Sequence, residues 1–146
     1  MFDLERFVKA QDNTYDNALK EIQNGQKETH WMWFIFPQLV GLGYSYYANY
    51  YGISGLEEAQ AYLEHELLRS RLLEISSALL ELNGNVIDIF GYPDCYKLQS
   101  SMTLFAVADP STSVFQDVLE KFYEGKSDEN TLNLLKKCKL FDLLRK

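Results

Sequence analysis

The stretch LEEAQAYLEHELLRSRLLEISSALLEL, residues 56–82, carries leucines at the spacing of an amphipathic helix. The pair His65-Glu66 falls in its middle, and we predict that the chain bends there and divides the stretch into two helices. Ser54 and Glu57 form an S-x-x-E capping box in front of it, and Asn83-Gly84 ends it. This segment therefore predicts a helical fold.

Helical periodicity continues on both sides of this stretch. An earlier helix is predicted by apolar residues spaced i, i+3, i+4 and i+7, namely Tyr15, Ala18, Leu19 and Ile22. A later helix has Leu98, Met102 and Phe105 roughly on one face. Only the aromatic segment before Pro37 offers a β signal. We therefore predict a mainly α protein, a single compact domain over residues 1–146 with about seven or eight helices.

Composition narrows the classes of function. The 146-residue chain has a net charge of −7, which disfavours general nucleic-acid binding and attraction to anionic membranes. Its two cysteines, Cys95 and Cys138, do not make a disulfide framework, and its two histidines lack metal-ligand spacing. The amino-terminal sequence lacks the apolar run of a secretory signal, and no segment has the length of a membrane span. We expect a cytoplasmic protein without a metal or cofactor.

The first candidate site is the aromatic stretch HWMWFIFPQ, residues 30–38. Trp31 and Trp33 either belong to the core or stack against a base or sugar ring of a ligand. His30 is either a general base or hydrogen-bond donor, or a structural side chain at the edge of an apolar segment. Gln38 either reads an amide or nucleobase edge or closes the turn after Pro37.

The second candidate site is the loop GLGYS, residues 41–45. Gly41 and Gly43 permit a tight turn that exposes backbone amides, and Ser45 is placed to cap the helix that follows. Such a loop can hold a phosphate or carboxylate, although a turn with an N-cap explains the same residues.

The third candidate site is KLQSSMT, residues 97–103. On a helix, Ser100 and Ser101 lie three and four residues from Lys97, so both hydroxyls are near its ammonium. The group, with Thr103, either contacts an anionic ligand, or uses Lys97 as the base for a Ser101 nucleophile, or only bonds back to its own helix. Arg71 is a further candidate cation.

Together these groups predict binding, and in a stronger form hydrolysis, of a small anionic metabolite in an aromatic pocket. His30, Lys97 and Ser101 are the candidate catalytic residues. The ligand-binding candidates are Trp31, Trp33, Gln38, Gly41, Gly43, Ser45, Arg71, Ser100 and Thr103. The tyrosine-rich segment YSYYANYYG, residues 44–52, favours the alternative of a protein- or peptide-binding module without catalysis.

Several long motifs resemble an uncharacterised bacterial family, domain of unknown function 1810, which sometimes carries the label calpastatin. They are G-x-K-x-x-H-W-M-W-F-I-F-P-Q at 25–38, the 41–45 loop, EAQAYLEHELLRSRL at 58–72 and FGYPD-x-x-KL-x-SSMTLF at 90–105. The resemblance implies a mainly helical fold and no described activity. Calpastatins are disordered inhibitors, whereas this composition is that of a packed globule.

Two positions depart from the family pattern. Glu66 stands where the family usually has proline, and Cys95 stands where an acidic residue is common. Separately, VFQDVLEKFYEG at 114–125 is similar to a helix of the NADAR superfamily, although its other signature segments do not match. That superfamily is linked to NAD and ADP-ribose derivatives, so the similarity implies a nucleotide- or ADP-ribose-like ligand class.

Overall fold

A computed structural model describes the backbone of residues 1–145 and the side chains of residues 1–137 and 144. The side chain of Cys138 lies outside these. Ten helices lie within this part of the chain: α1 (Glu5–Asp12), α2 (Tyr15–Gln23), α3 (Met32–Ile35), α4 (Tyr46–Tyr50), α5 (Leu56–Glu64), α6 (Glu66–Leu80), α7 (Val86–Phe90), α8 (Asp94–Ala108), α9 (Val114–Tyr123) and α10 (Glu129–Arg145). The prediction of a mainly α, compact single domain is confirmed. The helices outnumber the prediction because the short helices α3 and α7, of four and five residues, were not counted in it.

Helix α8 forms the centre of the core. It packs against α5, α7, α9 and α10, with a smaller contact to α3. Leu98, Met102 and Phe105 are fully buried, as their predicted common face requires. Because neighbours surround the helix, the polar positions Ser101 and Thr103 are buried as well. The KLQSSMT motif therefore lies largely inside the protein.

The chain breaks between α5 and α6 at His65, as predicted. His65 has an extended backbone and accepts a hydrogen bond at Nδ1 from the backbone N–H of Leu68, at 3.4 Å. The capping box in front of α5 differs from the prediction. The N-cap is Gly55 rather than Ser54, so Glu58 is the third helical residue, and its carboxylate accepts the backbone N–H of Ser54 (2.8 Å) while it pairs with Arg6 (2.9 Å).

The aromatic stretch forms the short helix α3 rather than a strand, and a loop of residues 36–45 follows it. Ile53 pairs with this loop: its N–H donates to the Gln38 carbonyl (2.8 Å) and its carbonyl accepts from Val40 (2.9 Å). Arg6 donates to the carbonyls of Tyr50 (2.9 Å) and Gly52 (3.1 Å), which fastens the end of α4 to α1. These bonds hold α4 beside α3. No helix among the described residues is long and apolar enough to cross a bilayer.

Candidate functional site

The turn before α3 is fixed by Glu21 on α2. Its buried carboxylate accepts hydrogen bonds from the backbone N–H groups of Glu28 (2.7 Å) and Thr29 (2.9 Å) and from the Trp31 indole N–H (3.0 Å). Burial alone raises the pKa of Glu21, but these bonds and the Thr29 hydroxyl outweigh it and lower the pKa to about 2. An ionised Glu21 therefore sets the path of residues 28–31.

Lys27 lies at the start of this turn and is almost completely buried, with 6% of its side chain exposed. Its ammonium lies 2.8 Å from Asp94 Oδ2, donates to the Thr29 carbonyl (2.6 Å) and sits 5.0 Å from the centre of the Trp31 ring. An ammonium has three donors, so these contacts satisfy it. Lys27 is therefore a structural cation.

Lys97 contacts the other oxygen of the Asp94 carboxylate. Its ammonium is 3.4 Å from Asp94 Oδ1 and 5.3 Å from the centre of the Trp33 ring, and 28% of its side chain is exposed. Asp94 thus bridges two ammonium groups, each of which faces an indole. The two ammonium groups and the one carboxylate of this bridge sum to a charge of +1, in a chain whose net charge is −7.

An exposed aromatic surface continues from this cluster onto α4. The rings of Trp33 and Tyr47 lie 5.1 Å apart, and half of Tyr47 is exposed. Tyr46 and Tyr50 stack on each other with nearly parallel planes and are also exposed. Residues 31–56 contain no Asp, Glu, Lys or Arg. Lys97 therefore lies at the border of an uncharged aromatic surface.

The hydroxyls of the KLQSSMT motif do not face this surface together. Ser100 donates to the carbonyl of Tyr96 (3.1 Å), and Thr103 donates to that of Gln99 (2.8 Å), so both bond back to their own helix. Ser101 is fully buried, and its Oγ has no hydrogen-bond partner within the described residues. In this conformation a ligand at Lys97 does not reach the Ser101 hydroxyl.

The glycine loop forms a tight turn with a capped helix. Gly41 has a positive φ of 102°, and a Cβ on Gly43 would lie 2.9 Å from that of Ala48. The hydroxyl of Ser45 accepts the Ala48 N–H (3.1 Å) and so caps α4, which has only five residues. Gln38 is half-buried, and its backbone carbonyl bonds to Ile53. These contacts account for the loop without a ligand.

The remaining predicted residues lie in the core, in a contact between other helices, or in the turn before α3. Trp31 is fully buried. Arg71 pairs with Asp12 (3.1 Å) and lies over the Tyr15 ring at the α1–α2–α6 contact. His30 is exposed in the turn before α3, between Thr29 and Trp31, which both donate hydrogen bonds to Glu21. Within the described residues, no group of three His, Cys, Asp or Glu side chains could hold a metal ion.

Sequence reasoning missed Lys27, Asp94 and Tyr47. A local signal existed for Asp94, which precedes Lys97 by three residues on a helix and so can pair with it. Lys27 carries no such signal, because its contact with Asp94 joins the turn before α3 to the start of α8. Tyr47 was visible only as one tyrosine among several.

A surface groove of about 370 Å³ lies elsewhere, between the ends of α5 and α8 and the start of α6. It is lined by Gln60, Leu63, Glu64, Arg69, Ala108 and Asp109. Hydrogen bonds from Ser111 and Thr112 lower the pKa of Asp109 to about 2, and Arg69 pairs with it at 3.5 Å. None of the sequence-predicted site residues lines this groove.

The fold and the cluster define a compact helical protein with a lysine–aspartate–lysine bridge beside exposed aromatic rings. The chain belongs to the family described as "Protein of unknown function (DUF1810)", which matches residues 1–135. It is similar to a solved structure of the conserved hypothetical protein Rv1873 from Mycobacterium tuberculosis. The two are 51% identical with a TM-score of 0.91, over 92% of this chain and 97% of that one. No curated protein matches the chain.

Proposed function

We propose that the surface formed by Lys97, Trp33 and Tyr47 binds a small anionic metabolite with a planar ring, of the nucleotide- or ADP-ribose-like class. The observation that carries the proposal is the partly exposed side chain of Lys97, whose ammonium lies 5.3 Å from the centre of the Trp33 ring. A phosphate that contacts the ammonium of Lys97 and a base that stacks on the rings of Trp33 and Tyr47 would use both kinds of group.

The ammonium of Lys97 can bind an anionic group of a ligand because its contact with Asp94 is long. Its ammonium lies 3.4 Å from Asp94 Oδ1, whereas Lys27 holds the other carboxylate oxygen at 2.8 Å. Asp94 is thus engaged mainly with Lys27, and the three donors of the Lys97 ammonium are not all used by its single contact with Asp94. In an acidic protein, such a cation supports selective binding of one anionic group rather than attraction to polyanions in general.

The hydrolytic form of the proposal assigns proton transfer to His30, whose side chain is exposed. The proposed nucleophile, Ser101, is buried, so this form also requires α8 to open toward solvent. Incubation with ADP-ribose and with AMP, followed by chromatography of the products, tests it. Wild-type turnover that is lost in both His30→Gln and Ser101→Ala supports hydrolysis. If the wild type shows no turnover, the hydrolytic form fails and only the binding proposal stands.

Calorimetric titration with AMP and with adenosine tests the binding proposal. We expect AMP to bind more tightly than adenosine, because only AMP can use the ammonium of Lys97. Lys97→Gln should weaken AMP binding about tenfold or more, the value of a charge-assisted hydrogen bond, and leave adenosine unaffected. Trp33→Ala should weaken both compounds, since it removes the stacking surface.

Lys121 supplies the matched control. Its ammonium also lies near an aromatic ring, 5.7 Å from that of Phe122, but on α9. Lys121→Gln therefore removes the same charge and the same type of contact at another place, and should leave AMP binding unchanged. Equal losses in both variants, or no heat from AMP, ADP or ADP-ribose at millimolar concentration, would contradict the proposal.

The second candidate function is a protein- or peptide-binding module, which the exposure of Tyr44, Tyr46 and Tyr50 favours. Affinity capture with wild-type protein and with Tyr46→Ser/Tyr50→Ser as bait tests it. A specific partner that is captured only by the wild type, with AMP binding unchanged in the variant, supports this function. Identical captures by both baits contradict it.

A further inference from the structure

We propose that Asp94 limits the negative charge of the ligand that binds at Lys97, an inference that rests on the function proposed above. Asp94 would then be a specificity-determining residue, and Lys27 the residue that positions it. The site would accept a ligand with one phosphate group at Lys97 and discriminate against ligands with additional phosphates.

The first step is the position of the carboxylate. Asp94 places one oxygen against each ammonium, Oδ2 against Lys27 and Oδ1 against Lys97. An anionic group in contact with Lys97 must therefore lie within a few ångströms of Oδ1. Like charges at such a separation repel, and the partial burial of this cluster weakens the screening by solvent.

The second step is that the carboxylate is held in place. Lys27 is nearly buried, and its ammonium is fully engaged by Asp94, the Thr29 carbonyl and the Trp31 ring. If Asp94 turned away to make room for a ligand, it would leave the buried charge of Lys27 without its counter-ion. Asp94 therefore stays where it faces the ligand.

The third step is the charge that remains. Of the two ammonium groups, that of Lys27 is buried and paired with Asp94, so only Lys97 presents positive charge to a ligand. A phosphate monoester such as AMP already carries about −1.5 to −2 charges at pH 7, and ADP carries more. The added negative charge of ADP meets Asp94 and no second accessible cation, so the cluster favours AMP over ADP.

Affinities for AMP and ADP, measured by calorimetry at low ionic strength, test this inference. We expect wild-type protein to bind AMP at least as tightly as ADP. Asp94→Asn should shift the ratio of the two affinities toward ADP by about fivefold or more, because it removes a charge a few ångströms from the added phosphate. Asp117→Asn, on the exposed face of α9, makes the same change in net charge elsewhere and should leave the ratio unchanged.

A second pair of variants keeps the test valid if Asp94→Asn fails to fold. That substitution leaves the buried ammonium of Lys27 without its carboxylate. Lys27→Met removes that buried charge, and Lys27→Met/Asp94→Asn then repeats the test without it. The ratio should shift toward ADP in this background too. An unchanged ratio in folded variants would overturn the role of Asp94 while AMP binding stands. If the wild type bound neither nucleotide, the proposed function would fail, and this inference with it.

Discussion

Two tryptophans separated by a single residue have opposite surroundings. Trp31 is fully buried, donates its indole N–H to Glu21 and lies beneath Lys27. Trp33 is half-buried, contacts Tyr47 and lies beneath Lys97. Each pairs with a lysine over its ring.

The difference shows that one pair of residue types can make a structural unit or a binding surface. In the Trp31 unit, which consists of Trp31, Lys27 and Glu21, every polar side-chain group has a partner inside the protein, so no group remains for a ligand. In the Trp33 unit, which consists of Trp33, Lys97 and Tyr47, all three side chains are partly exposed. Burial and hydrogen-bond satisfaction, rather than residue type, separate the two. Variants of each unit test this contrast.

The largest expected effect is on folding stability. Trp31→Ala should lower the free energy of unfolding by about 3–5 kcal/mol, because it empties a fully buried ring site and leaves Glu21 without one donor. Trp33→Ala should cost about 1–2 kcal/mol, since a half-exposed ring loses less packing. Urea unfolding followed by circular dichroism measures both. Equal losses would mean that the two rings do not differ in role.

Replacement of Glu21 should show the next largest effect, and it should depend on pH. Folding lowers the pKa of Glu21 from 4.5 to about 2. Because this pKa is depressed, the stabilisation is fully present above about pH 4.5 and is lost as the pH falls toward 2. Glu21→Gln should cost about 3 kcal/mol at pH 7, with the difference from wild type shrinking through that window. Urea unfolding at several pH values measures it, and a difference that stays constant with pH would contradict this account.

The two lysines should separate stability from binding. Lys27→Met should cost up to about 3 kcal/mol, the low end for the loss of one partner of a buried ion pair, because Asp94 keeps its longer contact with Lys97. Lys97→Met should cost less than about 1 kcal/mol, since that pair is partly exposed and screened. Thermal unfolding measures the stabilities, and AMP titration the affinities. We expect Lys97→Met to lose more AMP affinity than Lys27→Met. The reverse order would contradict the assignment of Lys27 as a structural cation and Lys97 as a ligand-binding one.

The smallest expected effect belongs to Ser101. Its buried hydroxyl has no hydrogen-bond partner within the described residues, so Ser101→Ala removes an unsatisfied polar group and little volume. We expect a change between zero and about 1 kcal/mol in the stabilising direction, with AMP affinity unchanged. Ser76→Ala on α6, also fully buried, is a matched control. A loss of AMP binding in Ser101→Ala alone would place its hydroxyl at the ligand.

Local patterns predicted much of the fold and only part of the candidate site. The bend at His65, the buried face of α8 and the cap at Ser45 each depend on residues within a few positions of one another. Trp33 and Lys97 were separate candidates, and only the packing of α3 against α8 shows that they meet. Lys27 was not identified, because its partner Asp94 is distant in sequence and nothing near Lys27 signals the contact.

The sequence by itself determined a mainly helical domain, because the spacing of apolar residues is a local property that each helix expresses independently. It also determined the acidic net charge and the concentration of aromatic residues between His30 and Tyr51. Only the tertiary structure decided which tryptophan is buried and which of Lys27 and Lys97 keeps a partly exposed side chain. Burial and counter-ion contacts depend on residues far apart in the chain, so no local pattern encodes them.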